Sequence, residues 1–338
     1  CPCARLSGWL GGPCIDPNIR IDTMNTTSFL SLSLAAVAAA SLVACGGGGD
    51  DGPKTVELQF AAMAGNTAIG CGSSVAGLGS TAATANVKDF RFYISQVKMI
   101  RADGVEVPLT LPANDNWNYT VGSDSVTLVD LENATGDCPA ATGTPATNTV
   151  IKGTVPAGNY TGVKMTMGVP FAFNHTDWAN PTTTKAPLDI QALAWNWQGG
   201  RKFAKIEVTD PLASAVAGTA GKWTASTFNF HLGSTGCIGN PATGTQVSSC
   251  AAPNRMDVKL ATFDPATQKI AVDIKPLLDG TNVTVNQAGA AGCMSGGTDP
   301  ECLNVFKALA IDWKADGTGT GLPINGGASQ TLFRAVAK

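Results

Sequence analysis

The chain has 338 residues, of which 14% are charged, and its formal net charge at pH 7 is -3. Proteins that bind nucleic acids neutralise phosphates with clustered Lys and Arg side chains. Basic residues are not clustered in this sequence, so we predict that nucleic acid is not a partner.

Residues 24–44 have the pattern of a bacterial signal peptide. From Met24 the sequence has a short polar start and then an apolar run that begins at Phe29. The run is short for a membrane span and rich in Ala and Ser, which suits the apolar region of a signal peptide. It lacks the usual preceding Lys or Arg, and a buried hydrophobic helix is the alternative interpretation.

Residues 42–45 (LVAC) resemble the bacterial lipobox, in which a lipidated cysteine becomes the new N-terminus. We therefore predict lipid on Cys45, a flexible Gly-rich tether over residues 45–54, and attachment to a membrane. The expected location is the periplasm or the cell surface, at the outer membrane. Residues 1–23 have no evident role before a signal peptide, and we interpret them as an over-extended gene start.

The mature chain retains six further cysteines, an even number that predicts three disulfides in an exported protein. They are Cys71, Cys138, Cys237, Cys250, Cys293 and Cys302. Fifteen connectivities are possible. We favour the pairs 71–138, 237–250 and 293–302, because the last two close short loops. A thiolate metal site is the alternative, although the mature sequence has no CxxC motif.

Short segments with alternating apolar residues follow one another along the chain. In order, the alternating positions are Val56, Leu58 and Phe60; Phe90, Phe92 and Ile94; Val126 and Leu128; Val163, Met165 and Met167; Phe228 and Phe230; Met256, Val258 and Leu260; and Ile270, Val272 and Ile274. This period of two, with many Gly, Pro and Asn residues between segments, predicts an all-β fold, an antiparallel sandwich or barrel.

One short C-terminal helix is predicted near residue 300. Asp299 is the expected N-cap and Pro300 lies in the first turn. The apolar face consists of Cys302, Val305, Phe306 and Leu309. Since residues 55–338 contain no repeat or linker, we predict a single domain in which residues 136–149 form a loop.

His175 and His231 are the two histidines of the whole chain. If Phe228 and Phe230 face the core, His231 lies on the opposite face of its strand. His175 ends an alternating run and is flanked by turn residues, a common position for sites on β scaffolds. Either histidine alone fits a hydrogen-bonded or surface residue, and a spatial pairing would indicate a metal site.

The segment 192–203 contains Trp195 and Trp197, which a strand would place on one face. Core packing and a carbohydrate-stacking platform are both consistent with that spacing. Met294 follows a cysteine in a Gly-rich loop, where a thioether could be a soft metal ligand.

Catalysis is weakly supported by the sequence, and we predict that the chain is not an enzyme. It contains no GxSxG, HExxH or phosphate-binding loop. Asp130, Asp177 and Asp189 could pair for glycosidase chemistry, but nothing in the sequence brings them together.

Taken together, the ordered motifs resemble the MbnP/CorA family over about residues 56–311. The motifs are KDFRFYISQVKM (88–99), VTLVDLENATGDC (126–138), GVPFAFNHTDW (168–178), WNW (195–197), KFAKIEV (202–208), FHLGSTGC (230–237), PNRMDVKL (253–260) and GCMSGGTDPEC (292–302). Members of this family are four-cysteine partners of a MauG-like di-haem protein, found near copper-handling genes. One departure is Arg201, at a position where a tyrosine is usual.

The resemblance implies Cu(I) binding in the periplasm or at the cell surface. It implies that the first Trp of WxW, Trp195, is oxidised to kynurenine by the di-haem partner and that copper binding depends on this change. His175 and His231 match the family's histidine positions and are the implied imidazole ligands, with Met294 as a further candidate. The alternative is a glycan-binding lipoprotein that uses Trp195 and Trp197 as its stacking surface, and a weaker one is a purely structural envelope protein.

Overall fold

The computed structural model describes residues 52–196, 198–217 and 219–338. The predicted signal peptide, the lipid site at Cys45 and most of the tether lie outside the described residues, as does Trp197. The described residues fall within one compact unit. The start of the domain at residue 55 stays a prediction.

The described part of the chain folds into seventeen strands and three α-helices. The strands are β1 (Lys54–Ala64), β2 (Thr67–Ala68), β3 (Ser74–Leu78), β4 (Ala83–Arg101), β5 (Glu106–Pro108), β6 (Asn118–Val121), β7 (Asp124–Asp130), β8 (Val150–Val155), β9 (Tyr160–Met167), β10 (Ala204–Thr209), β11 (Thr227–Leu232), β12 (Thr235–Asn240), β13 (Thr245–Ala252), β14 (Met256–Leu260), β15 (Gln268–Asp273), β16 (Gly292–Cys293) and β17 (Phe333–Ala337). The helices are α1 (Phe171–Asn174), α2 (Ile274–Leu278) and α3 (Cys302–Leu309).

The larger sheet is built around the 19-residue strand β4 and has the order β14-β9-β4-β10-β11-β16. β4 also pairs with β3, β5 and β7. β4 can pair with so many strands because it is long and irregular. Gln96 has a φ of 53°, and the register of β4 with β9 shifts between Ser95 and Lys98. Such a bulge bends the strand and lets different partners pair with its two halves.

The smaller sheet has the order β17-β15-β1-β2, with β8 also paired to β1. It faces the larger sheet through three aromatic rings. The Phe92 ring of β4 lies 5.7 Å from the Phe60 ring of β1 and 5.7 Å from the Phe333 ring of β17, both in edge-to-face geometry. Alternation along each strand sends these large side chains into one shared core, so the two sheets form a sandwich.

The predicted all-β fold with a short C-terminal helix and three disulfides is confirmed. Most strand pairs are antiparallel, while β1 with β15 and β11 with β16 are parallel. The bridges are Cys71–Cys138, Cys237–Cys250 and Cys293–Cys302, with S–S distances of 2.03 to 2.05 Å. These are the pairs that the loop lengths favoured, and the alternative of thiolate ligands is excluded for all six cysteines.

Two predicted element boundaries are wrong. The strand predicted through Ile274 ends at Asp273, whose side chain accepts a hydrogen bond from the Lys275 N–H (3.1 Å) and starts α2. The C-terminal helix begins at Cys302 and not directly after Asp299, although the Asp299 side chain accepts from the Glu301 N–H (3.2 Å) in the preceding turn, as an N-cap does.

Within the described residues, no helix is long and apolar enough to cross a membrane.

The Phe92 ring is the central contact between the sheets and is fully buried. We expect Phe92→Ala to lower the free energy of unfolding by about 3–5 kcal/mol, because it removes two ring contacts and leaves a cavity. Urea unfolding with the disulfides intact measures this. The control Val121→Ala, at a position 53% exposed, should stay within about 0.5 kcal/mol of the parent. An equal effect of the two substitutions would contradict this view of the core.

Candidate metal centre

Trp195 lies in a loop and not on a strand, so the strand alternation that would place both indoles on one face does not apply to it. A 3-10 turn (Gln191–Leu193) precedes it, an isolated bridge joins Ala194 to Arg201, and the Trp195 N–H donates to the Gly200 carbonyl (3.0 Å). The half-buried indole packs on Gly233, where a Cβ would lie 2.4 Å from indole Cζ3. Glycine is therefore required at 233 for the indole to reach this position.

Trp195 and Met294 line the same cavity, which has a volume of about 470 Å³. Ser234 and Cys237 form another part of its wall. The loop that carries Trp195 is fixed to the β12–β13 hairpin, since the Gln198 amide donates to the carbonyls of Cys237 (3.1 Å) and Gly239 (2.8 Å). The structure thus brings the indole and the thioether to one cavity.

The backbone of His231 lies next to that of Met294, which lines this cavity. Phe230 of β11 is paired with Cys293 of β16, so the following residues, His231 and Met294, are neighbours in the backbone. The Ser295 hydroxyl joins the two segments by donating to the His231 carbonyl (2.9 Å). As predicted, Phe230 faces the core and His231 faces the other side of the sheet, although His231 is also buried (5% exposed).

The two ring nitrogens of His231 have different surroundings. Nε2 lies 2.7 Å from Glu207 Oε1, while Nδ1 is buried and has no hydrogen-bond partner among the described residues. A ring that donates its Nε2–H to a carboxylate presents the lone pair of Nδ1, which is how metal-ligating histidines are commonly held. His231 is therefore oriented as a ligand would be.

Burial favours the neutral form of the His231 imidazole, and the neighbouring groups favour the ionised form of the Glu207 carboxylate. Burial lowers the pKa of His231, against the opposing effect of Glu207. Burial alone would raise the pKa of Glu207, but the His231 hydrogen bond and the Lys205 charge lower it to about 2. A neutral imidazole is the form that binds a metal ion.

Glu207 belongs to a buried charge network on the same face of the sheet. Lys205 Nζ lies 2.9 Å from Glu207 Oε1 and 2.5 Å from Asp89 Oδ2, and Arg91 pairs with the same Asp89 oxygen at 2.5 Å. Glu132 lies 3.7 Å from Arg91. The network compensates the buried charges and fixes the carboxylate that orients His231.

His175 is placed by a different set of contacts. It follows α1 directly and is 7% exposed, with Nε2 3.1 Å from Asn174 Nδ2 and 3.5 Å from Cys250 Sγ. Asn174 Oδ1 accepts from the Arg201 N–H (2.8 Å), which fixes the amide so that its NH2 group faces His175. Nε2 is therefore the acceptor and carries a lone pair.

Arg201, at the position that departs from the family pattern, is buried and holds the chain around His175. Its guanidinium donates to the carbonyls of Leu188 (2.9 Å), Asn174 (2.8 Å) and Thr176 (2.6 Å). These bonds fix the backbone on both sides of His175. The side chain acts inside the molecule and is 1% exposed.

The candidate residues meet around the short segment 233–237. Trp195 packs on Gly233, Met294 shares a cavity with Ser234 and Cys237, and Ser234 also accepts from Asn174 Nδ2 (3.3 Å) beside His175. His175 Nε2 lies near both sulfurs of the Cys237–Cys250 bridge, within 4.8 Å. Those sulfurs are bonded to each other, so they do not supply thiolates.

Glu207, Asn174 and Arg201 were missed by sequence reasoning. Glu207 could have been found from KFAKIEV, because alternation on a strand places Lys205 and Glu207 on the face opposite to Ile206. The roles of Asn174 and Arg201 depend on a contact between two loops 27 residues apart, and no local pattern indicates it. Of the carboxylates considered for glycosidase chemistry, Asp130 lies near Arg91 in the buried network.

The network makes stability depend on pH through Asp130. Burial, together with Glu132 and Asp89, raises the pKa of Asp130 to about 7, against the effect of Arg91. The folded chain then binds more protons than the unfolded chain between about pH 4 and pH 7, so this group lowers stability as the pH rises. We expect Asp130→Asn to gain stability relative to the parent between about pH 5 and about pH 8.

Urea unfolding of both proteins at the two pH values measures that gain. The control Asp137→Asn changes an exposed carboxylate and should leave the pH dependence as it is. A parent and an Asp130→Asn protein whose stabilities differ by the same amount at both pH values would contradict the prediction.

Comparison with known proteins places the chain in a family. The MbnP family model matches residues 53–295. MbnP from Methylosinus trichosporium has a similar structure, with 34% sequence identity and a TM-score of 0.71, over 85% of this chain and 99% of that one. No match was found among the curated proteins. The family model and the similar structure each cover most of the chain, and the chain belongs to the MbnP family.

Proposed function

We propose that this chain is an exported protein that binds one copper ion, Cu(I), for copper homeostasis. The proposed ligands are His175, His231, Met294 and a kynurenine made from Trp195 by a MauG-like di-haem partner. Membership of the MbnP family fits a copper-related role and suggests a non-catalytic accessory protein.

The observation that carries the proposal is the buried Nδ1 of His231, which has no partner in the described residues although Nε2 is held by Glu207. An unpaired polar atom inside a protein is unfavourable unless it has a role. The other proposed donors are the thioether of Met294, whose backbone lies next to that of His231, and the imidazole of His175, which lies beside Asn174 and Cys250. Nitrogen and soft sulfur donors suit Cu(I).

Modification of Trp195 would complete this donor set. Conversion to kynurenine would break the C2–C3 bond of the indole, with O2 or a peroxide as the oxidant at the haem partner. A ketone oxygen would remain on the side chain, and the C2 carbon would leave as formate after hydrolysis. The conversion also exposes an aromatic amine, a nitrogen donor that indole lacks. The indole is half-buried beside the cavity that Met294 lines, so the new amine would form at that cavity.

The glycan-binding alternative has less support. It depended on a strand that places Trp195 and Trp197 on one face, and Trp195 lies in a loop with its indole against Gly233. In a loop, the strand alternation that would place both indoles on one stacking surface does not apply.

Attachment by lipid on Cys45 is also part of the proposal. It rests on the 24–45 sequence, which has a signal-peptide pattern and ends in LVAC. Such an anchor would keep the cavity outside the reducing cytoplasm, where disulfides persist and an exported haem protein could reach Trp195.

Copper content tests the site. We expect the full chain co-produced with its di-haem partner to hold one copper per chain, and His231→Ala, His175→Ala and Met294→Ala each to lower that content. Trp195→Phe should abolish it, because no amine can form, whereas Trp117→Phe, a control at another partly buried Trp, should retain it. Metal analysis gives the content, and peptide mass mapping of residues 192–203 gives the modification.

Two outcomes of this experiment would contradict the proposal. Stoichiometric copper in a protein with unmodified Trp195 would exclude the kynurenine as a requirement. Full copper content in both histidine variants would place the site elsewhere.

Metabolic labelling with palmitate tests the anchor. The parent chain should incorporate label and remain with the membrane fraction, because the lipid inserts in the bilayer. Cys45→Ser should incorporate none and be released in soluble form. Equal labelling of the two proteins would contradict lipidation at Cys45.

A further inference from the structure

Two buried carboxylates, Asp299 and Glu301, lie together in the loop that the Cys293–Cys302 bridge closes. Asp299 is 8% exposed and Glu301 is 2% exposed. Their side chains are within hydrogen-bonding reach of each other, and this contact, after burial, raises the pKa of Asp299. Neither carboxylate belongs to the centre formed by His231 and Met294.

No cation of the described chain balances these two groups. The ion pairs of the described residues include no Lys, Arg or His within 4.0 Å of either carboxylate. Glu301 Oε1 accepts from the Gln287 N–H (2.6 Å), but Oε2 is buried and has no hydrogen-bond partner among the described residues. Two adjacent buried carboxylates without a counter-charge are strongly unfavourable when both are ionised.

Glycine backbone lies close to Asp299. A Cβ at Gly289 would lie 3.0 Å from Asp299 Oδ2, and a Cβ at Gly296 would lie 2.9 Å from Asp299 Cβ. Gly289 also has a φ of 72°, which disfavours a side chain there. The backbone of two loops therefore comes close to the carboxylates, where peptide oxygens could add to the ligand set.

We propose that Asp299 and Glu301 bind a divalent cation of the Ca²⁺ type, at a site separate from the copper centre. The donors are oxygens, which suit a hard cation. Ca²⁺ accepts irregular sets of carboxylate and carbonyl oxygens, whereas Mg²⁺ requires near-octahedral geometry, so loops of this kind favour Ca²⁺. The bound ion would supply the missing counter-charge and fix the loop that begins at Met294.

Calcium titration of the full chain, with disulfides intact and after treatment with a chelator, tests the proposal. We expect one Ca²⁺ per chain by calorimetry and a rise in Tm of about 5 °C at saturating Ca²⁺, with a smaller rise for Mg²⁺. Asp299→Asn and Glu301→Gln should each lose the binding and the rise in Tm. The control Asp316→Asn, an exposed carboxylate in a nearby Gly-rich loop, should keep both.

A parent chain that neither binds Ca²⁺ nor changes its Tm would overturn the proposal and indicate that the pair shares a proton. In that case Asp299→Asn and Glu301→Gln should unfold at the same or a higher temperature than the parent. The parent titration decides the question even if both variants fail to fold. His231→Ala, which removes a proposed copper ligand, should keep the calcium response, so the two sites can fail independently.

Discussion

The hydrogen bond between His231 and Glu207 is the contact on which the proposed centre depends. It joins Nε2 to a carboxylate at 2.7 Å, while Nδ1 has no hydrogen-bond partner among the residues that the structure describes. The carboxylate is itself held by Lys205, and Lys205 and Arg91 both pair with Asp89. Because these charges are buried on a rigid sheet, the imidazole is held in one orientation before a metal binds. Metal binding then costs less conformational entropy.

Loops bring the remaining donors to this fixed point. Gly233 lets the Trp195 indole approach the backbone, and Gln198 ties the same loop to the hairpin that Cys237–Cys250 closes. On the other side, Arg201 holds the backbone around His175 with hydrogen bonds to three carbonyls. The disulfide and the buried guanidinium thus fix the positions of the loops, just as strand pairing fixes the position of His231. Modification of Trp195 would then change the donor set without a change of fold.

Sequence patterns predicted the fold well because strand alternation and cysteine spacing are local signals. The core positions of Phe60 and Phe92 follow from alternation, and the short loops favour the pairs 237–250 and 293–302, which leaves Cys71 with Cys138. The site was predictable mainly through the resemblance to a family, since neither histidine has a local pattern that marks a ligand. Contacts between distant segments escaped prediction: Glu207 beside His231 is set by the register of β10 and β11, and Asn174 beside Arg201 is set by loop packing. The position of Trp195 in a tight loop also escaped, because the WNW spacing looks like a strand.

The most direct test of the central claim is NMR of the ring nitrogens in chains labelled with ¹⁵N-histidine. The chain has two histidines, so His175→Ala leaves the His231 signals alone and assigns them. The account predicts that Cu(I) shifts the signal of His231 Nδ1 while Nε2 stays protonated and bonded to Glu207. Unchanged Nδ1 in a copper-loaded chain, or loss of the Nε2 proton on loading, would contradict it.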